Sequence, residues 1–171
     1  MSGNEEGKAK VTPWEVRGAV DYDELVTRFG TSRLEGPVKD RLVRLAGEDH
    51  WMLRRGIFYS HRDLDVILDR QSKGLPWALY TGRGPSGHTH LGHIMPWIFN
   101  RWLQERFKVK MYFQLTDDEK FLFNPDLTLE DTNRFARENA LDFIALGFKP
   151  GDTHIVIDTE YTRTMYRLAL R

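Results

Sequence analysis

Cysteine is absent from this chain of 171 residues. That excludes disulfide bridges and thiolate metal sites. Net charge is absent as well, because 25 Lys and Arg balance 25 Asp and Glu. A uniformly basic domain that coats nucleic acid is thereby disfavoured, though a local basic face is not. No apolar run approaches the roughly 20 residues of a membrane span, so no membrane partner is expected. The opening, Met1 to Lys8, is polar and has no apolar stretch of the secretory kind. With neither signal, the cytoplasm is the expected compartment. Internal repeats and low-complexity segments are missing too. What is present is a composition 40% hydrophobic, too rich in apolar residues for intrinsic disorder. The length suits one domain of about 100–200 residues.

Residues 1–11 are expected to be a disordered tail. Residues 12–73 read as a mostly helical region. Asp21 is a plausible N-cap for a helix ending near Gly30. Pro37 opens a second helix, with Val38, Leu42 and Leu45 as its apolar stripe. Ser60 and Asp63 resemble a capping box before Leu64, Ile67 and Leu68. Ile57 to Tyr59 could form a short strand. From residue 74 to 171 the pattern becomes α/β. Trp77 to Thr81 suits a buried strand, residues 82–87 a glycine-rich loop, and Leu91 to Phe107 a helix. Lys108 to Thr116 alternates as a second strand, with Val109, Met111, Phe113 and Leu115 on one face. Strand, helix and strand over about 40 residues make a βαβ unit with a parallel sheet. Thr128 with Asp131 caps a long helix whose buried face is expected at Leu129, Phe135, Ala136, Phe143 and Ile144, and Gly147 closes it. His154 to Ile157 is a third strand, followed by a last helix from Thr159. Trp77, Trp97 and Trp102 read as core, and His61 and His154 as structural.

The stretch Tyr80 to His93 holds four glycines and three histidines. Three chemistries compete for it. Gly82-x-Gly84-x-x-Gly87 matches a dinucleotide fingerprint in letters, but Pro85 interrupts it and no acid ends a strand about 20 residues on. His88, His90 and His93 could ligate a metal, with no carboxylate or thiolate beside them. The third reading is a nucleotide-phosphate site. A loop leaving a strand and entering a helix N-terminus offers free N–H groups to an anion. Imidazoles on the first turn add donors for developing phosphate charge.

Pro85-x-x-x-x-His90-Leu-Gly-His93 resembles the HIGH signature of class I aminoacyl-tRNA synthetases, with Leu91 at the usual Ile or Val position. Thr12-Pro-Trp-Glu-Val16, Asp21-Tyr-Asp23, Arg54-Arg55, Phe58-x-Ser60-His-Arg-Asp63, Tyr80-Thr-Gly-Arg-Gly-Pro-Ser86 and Thr116-Asp-Asp-Glu-Lys120 are similar to tryptophanyl-tRNA synthetases of the archaeal and eukaryotic type. The resemblance runs from about residue 12 to the last. It implies the first half of a Rossmann-type nucleotide-binding domain over residues 74–171. It implies ATP as a substrate accompanied by Mg2+, with tryptophan and tRNA(Trp) as partners and a homodimer for the intact family.

Roles follow from that resemblance residue by residue. His90 and His93 would face the ATP phosphates and ribose, with Leu91 beside them and Gly92 under the adenine. Gly82, Arg83, Gly84, Pro85 and Ser86 would line the reacting phosphate, Arg83 as a charge donor. Lys120 would also meet phosphate. Tyr80 and Gln114 would take the indole N–H, and Glu119 the substrate ammonium. An indole has one donor, so a neutral acceptor reads it, and a carboxylate suits an ammonium. Class I enzymes also use a second, lysine-rich loop resembling KMSKS. Residues 121–171 contain no Lys-x-Ser, and Lys149 is the single lysine there. The chain is therefore expected to be an N-terminal fragment carrying the HIGH half of the site. The alternative is a non-catalytic ATP- or tryptophan-binding piece or interaction module.

Overall fold

The computed structural model describes residues 10–11, 16–17 and 21–171. Residues 1–9 of the expected disordered tail and most of the Thr12 to Val16 motif lie outside the described residues, while Lys10 and Val11, expected in that tail, are in a strand. Strands β1 (Lys10–Val11) and β2 (Val16–Arg17) pair antiparallel. Helix α1 (Tyr22–Arg28) starts where expected, with the Asp21 carboxylate accepting from the N–H of Asp23 at 2.8 Å and of Glu24 at 3.2 Å. Strand β3 (Ser32–Arg33) precedes α2 (Gly36–Ala46), which carries Pro37 in its first turn. Helix α3 (Trp51–Arg54) follows, then β4 (Ser60–His61), antiparallel to β3. Helix α4 (Leu64–Ser72) ends this region.

The expected capping box of α4 is corrected by this pairing. Ser60 is held in register opposite Arg33, and Asp63 sits in the left-handed region at φ 55°. The His61 ring takes the cap's place, its Nδ1 accepting from the Leu64 N–H at 3.3 Å. The short strand falls just after Ile57 to Tyr59 rather than on it.

Strand β5 (Ala78–Arg83), helix α5 (Leu91–Phe107), strand β6 (Lys110–Leu115), helices α6 (Asp117–Phe123) and α7 (Leu129–Ala145), strand β7 (Thr153–Ile157) and helix α8 (Asp158–Ala169) complete the chain. The three strands form a parallel sheet in the order β5-β6-β7, so the α/β expectation holds. Two details differ from expectation. Strand β5 runs on through Gly82 and Arg83 into the expected loop, and β6 gives way to helix α6 at Asp117, a helix not expected there. Three acids in its first turn, Asp117, Asp118 and Glu119, favour that helix start through the macrodipole.

One sheet face is buried and the other open. Leu79, Met111, Phe113, Leu115 and Ile157 point into a core with Trp97 of α5 and Ala136 and Phe143 of α7. Phe113 and Phe143 stack with ring centres 3.9 Å apart, Phe143 and Phe148 likewise, and Trp97 meets Phe113 edge-on at 5.1 Å. On α7 the buried stripe is Thr132, Ala136, Asn139 and Phe143, while Leu129 and Ile144 are exposed. The helical period is as expected, but two polar residues occupy it because each finds a backbone carbonyl. Thr132 donates to Leu129 at 3.1 Å and Asn139 to Gly87 at 3.2 Å. A second cluster joins Leu34, Leu42, Ala46, Leu53 and Leu68 to Trp102 and Phe107 of α5. Helix α5 thus carries the glycine-histidine loop on its N-terminus and is gripped from two sides along its length.

Candidate active site at the carboxyl ends of the strands

The loop after β5 is tied down from beneath. Pro85 is fully buried. The Gly87 carbonyl accepts from Arg83 Nη2 at 3.0 Å as well as from Asn139. The loop delivers His90 to the N-cap of α5 and His93 to its first turn. Their rings lie 3.7 Å apart, centre to centre. His93 Nδ1 accepts from the His90 backbone N–H at 3.3 Å. Burial, with Arg83 and His90 close by, holds the His93 pKa below the ordinary imidazole value.

Three glycines of this segment each lie against a different neighbour. A Cβ on Gly82 would lie 2.9 Å from the Gln114 carbonyl oxygen in the next strand. One on Gly84 would overlap Lys120 Cε, because the lysine stem lies across that glycine. One on Gly92 would press on the His90 ring at 3.2 Å. Gly92 therefore seats His90, a use beyond the bare backbone expected under an adenine. The stem of Lys120 likewise brings an ammonium from α6 to the loop of β5. Ser86 is exposed on that loop, its N–H donating to the Gly84 carbonyl at 3.0 Å. Leu91 is exposed at the helix start.

Gly82→Ala and Gly84→Ala should therefore separate. The first collides with backbone and should cost about 1–3 kcal/mol of stability. The second meets a flexible side chain and should cost less than about 1 kcal/mol, while moving Lys120 off the loop. Urea denaturation of both variants checks this; equal losses would contradict it.

The side chain of Arg83 turns inward. It is 8% exposed, with both terminal nitrogens engaged beneath the loop rather than open to a ligand. His88 turns away from the other two histidines toward Glu138 of α7, with 3.4 Å between Nδ1 and the carboxylate. Among the described residues no three His, Asp or Glu side chains gather as a metal site.

On the open sheet face, Tyr80 of β5 is 68% exposed and donates its hydroxyl to Gln114 Oε1 on β6. Gln114 Nε2 donates to both oxygens of Asp158, at 2.7 and 2.8 Å. The amide is thus oriented with its carbonyl toward Tyr80. Glu119 accepts from Thr116 Oγ1 at 2.8 Å and lies 4.0 Å from the Lys120 ammonium. Gln114, Thr116 and Glu119 sit at the carboxyl end of β6 and Asp158 at that of β7, where α/β sheets bind ligands, and Tyr80 reaches Gln114 from the middle of β5.

Residues 72–170 match the family model described as tRNA synthetases class I (W and Y). This chain belongs to that family. Curated class I relatives include the tryptophan–tRNA ligase of Pyrobaculum calidifontis, 53% identical over 161 residues. The match covers 94% of this chain and 43% of that ligase. The tryptophan–tRNA ligase of Pyrococcus furiosus is 49% identical over 166 residues, covering 96% and 43%. The chain thus spans less than half the length of these class I relatives. Among solved structures, the tryptophanyl-tRNA synthetase of Plasmodium falciparum superposes with a TM-score of 0.83 at 41% identity, covering 88% of this chain and 44% of that one. The enzyme from Trypanosoma brucei gives 0.80 at 44% identity, covering 86% and 45%.

Within this class I framework, two buried groups were not singled out from the sequence. Asp158 is 7% exposed, and burial raises its pKa above the ordinary carboxyl value against the pull of its Gln114 hydrogen bonds. Its signal was an acid directly after the apolar strand Ile155 to Ile157. Asn139 had a weaker signal, a polar residue at an apolar helical position.

Proposed function

We propose that this chain carries the HIGH half of the active site of a tryptophan–tRNA ligase. The reaction joins the tryptophan carboxylate to the α-phosphate of ATP, releases pyrophosphate, and passes the aminoacyl group to the terminal ribose of tRNA(Trp). The observation that carries the reading is the convergence of a phosphate-type loop with an indole-type acceptor at one sheet end. His90 and His93 enter from α5, Lys120 crosses Gly84 from α6, and Tyr80 and Gln114 meet across β5 and β6.

The chemistry needs no protein nucleophile. It needs placement of two reactants and stabilisation of charge spreading over phosphate oxygens. Loop N–H groups, the histidine pair and Lys120 supply the donors. Gly82, Gly84, Pro85, Ser86, Leu91 and Gly92 shape the ATP cradle. Gln114, held by Asp158, offers Oε1 to the indole N–H beside the Tyr80 hydroxyl, and Glu119 takes the ammonium. Selection by such a hydrogen bond comes from the indole N–H adding a donor to Gln114 Oε1 that an apolar analogue lacks. Mg2+ enters as the counter-ion of ATP. A homodimer and a cytoplasmic location complete the reading, and the described helices include none long and apolar enough to cross a membrane.

Equilibrium dialysis with ATP and with tryptophan, followed by a single-turnover assay for the adenylate, tests this on the 171-residue chain. ATP binding is expected, weakened about tenfold or more by Lys120→Ala, the scale of one charge-assisted hydrogen bond. Adenylate formation by the chain alone is expected to be negligible, because residues 121–171 offer no second lysine-rich loop. A chain that binds neither ligand would overturn the proposal.

A further inference from the structure

The guanidinium of Arg83 is the buried charge that the proposed chemistry leaves unused. It closes β5 and makes its contacts inside the loop that follows. Nη2 donates to the carbonyls of Gly87 and His88, at 3.0 and 2.9 Å. Nη1 donates to Thr89 Oγ1 at 3.1 Å and lies 2.9 Å from His93 Nδ1. A guanidinium has donors and no acceptor. The ring nitrogen facing it must therefore be the acceptor. The His90 backbone N–H aims at the same Nδ1 from 3.3 Å. With two donors converging on Nδ1, the ring's one proton belongs on Nε2. Adding a second proton at Nδ1 would break both contacts and set an imidazolium against a guanidinium.

We propose that Arg83 is a positioning residue that holds His93 as the Nε2–H tautomer, so that the signature histidine meets a bound phosphate as an uncharged hydrogen-bond donor. The proposal rests on the phosphate-site reading of the loop. It replaces the direct contact to phosphate expected of Arg83 with an action through His93. One side chain thereby sets two things together: the fold of the loop, through two carbonyls, and the proton position on the ring at its end. Among the described residues no hydrogen-bonding group takes Nε2, so its N–H is left for a ligand. The groups that face the ring are Arg83 from β5, His90 from the helix start, and Trp97 one turn along α5 at 6.3 Å.

The tautomer can be read directly by long-range 1H–15N correlation on the histidine-labelled chain without any ligand. His93 should show an unprotonated Nδ1 and a protonated Nε2. Arg83→Met should shift the ring toward a mixture of tautomers or a charged ring. A proton on Nδ1 in the parent chain would overturn the proposal, and that spectrum decides even where Arg83→Met fails to fold. The donor role is read by ATP dialysis. Gln places an amide N–H near the position of Nε2, and Asn places it near Nδ1. His93→Gln should keep ATP affinity within about threefold of the parent, and His93→Asn should lose about tenfold or more, the scale of one hydrogen bond to a charged group. Equal losses would overturn the donor role. No ATP binding by the parent would overturn the phosphate-site reading, and the donor role with it, while the tautomer spectrum still decides what Arg83 does.

Discussion

Asp117→Ala should lower the stability of this chain by about 3 kcal/mol or more, because it strands several buried donors at once. Asp117 is 0% exposed. Its Oδ2 accepts from Asn133 Nδ2 at 2.9 Å and Thr159 Oγ1 at 2.6 Å, and its Oδ1 from the Thr159 N–H at 3.1 Å. Those partners come from α7 and α8, so one carboxylate ties three helices together behind the sheet mouth. Each unpaired group costs about 1–3 kcal/mol, reduced where water or relaxation reaches it. Asp117→Asn keeps one acceptor oxygen and turns a donor toward donors, so it should fall between parent and alanine. Urea denaturation gives the order; an alanine variant within about 1 kcal/mol of the parent would contradict the network's importance. The loss would reach the site, because Asp117 opens the helix of Glu119 and Lys120 and anchors the one that begins at Asp158.

Phe143→Ala should cost about 3–5 kcal/mol, the usual range for an aromatic deleted from a close-packed core. Phe143 is fully buried and lies between Phe113 and Phe148, with Trp97 edge-on at 5.6 Å. The cavity would open between α7 and the centre of the sheet, where the backbone on both sides is held by hydrogen bonds and collapses poorly. Phe143→Leu retains most of the volume and should cost about 1–2 kcal/mol. Thermal unfolding of the parent and both variants measures the gaps, and a leucine variant with the parent's midpoint would show that the aromatic stack adds nothing beyond volume.

The sequence carries much of this architecture because its local signals agree. Asp21 caps α1, the Thr128 and Asp131 box opens α7, and alternation at Met111, Phe113 and Leu115 sets the central strand. The misses share a physical origin. The Ser60 box failed because a long-range pairing with Arg33 outcompeted a local hydrogen bond. The buried stripe of α7 was misassigned because Thr132 and Asn139 become core residues only once their carbonyl partners are in place. The proposed site is legible as a list of residue types, since the phosphate and indole chemistry proposed for it demands particular donors and acceptors. Which atom faces which partner was not legible. That Asp158 orients Gln114 and that Lys120 crosses Gly84 depend on contacts between segments tens of residues apart, and that Arg83 turns inward depends on how its own loop closes over it.

The six-residue strand β5 has one further consequence, for handling the protein. It pairs with β6 along one side, and among the described residues no strand covers the other. Its open face adds Tyr80, next to Tyr112 of β6, both exposed. A strand edge left unpaired among the described residues, beside exposed aromatic rings, is a template for another copy's backbone. In concentrated solution this protein should be sticky along that edge, and light scattering should rise with concentration. A single lysine at Ala78, an exposed position at the start of the strand, should be enough to improve its solubility.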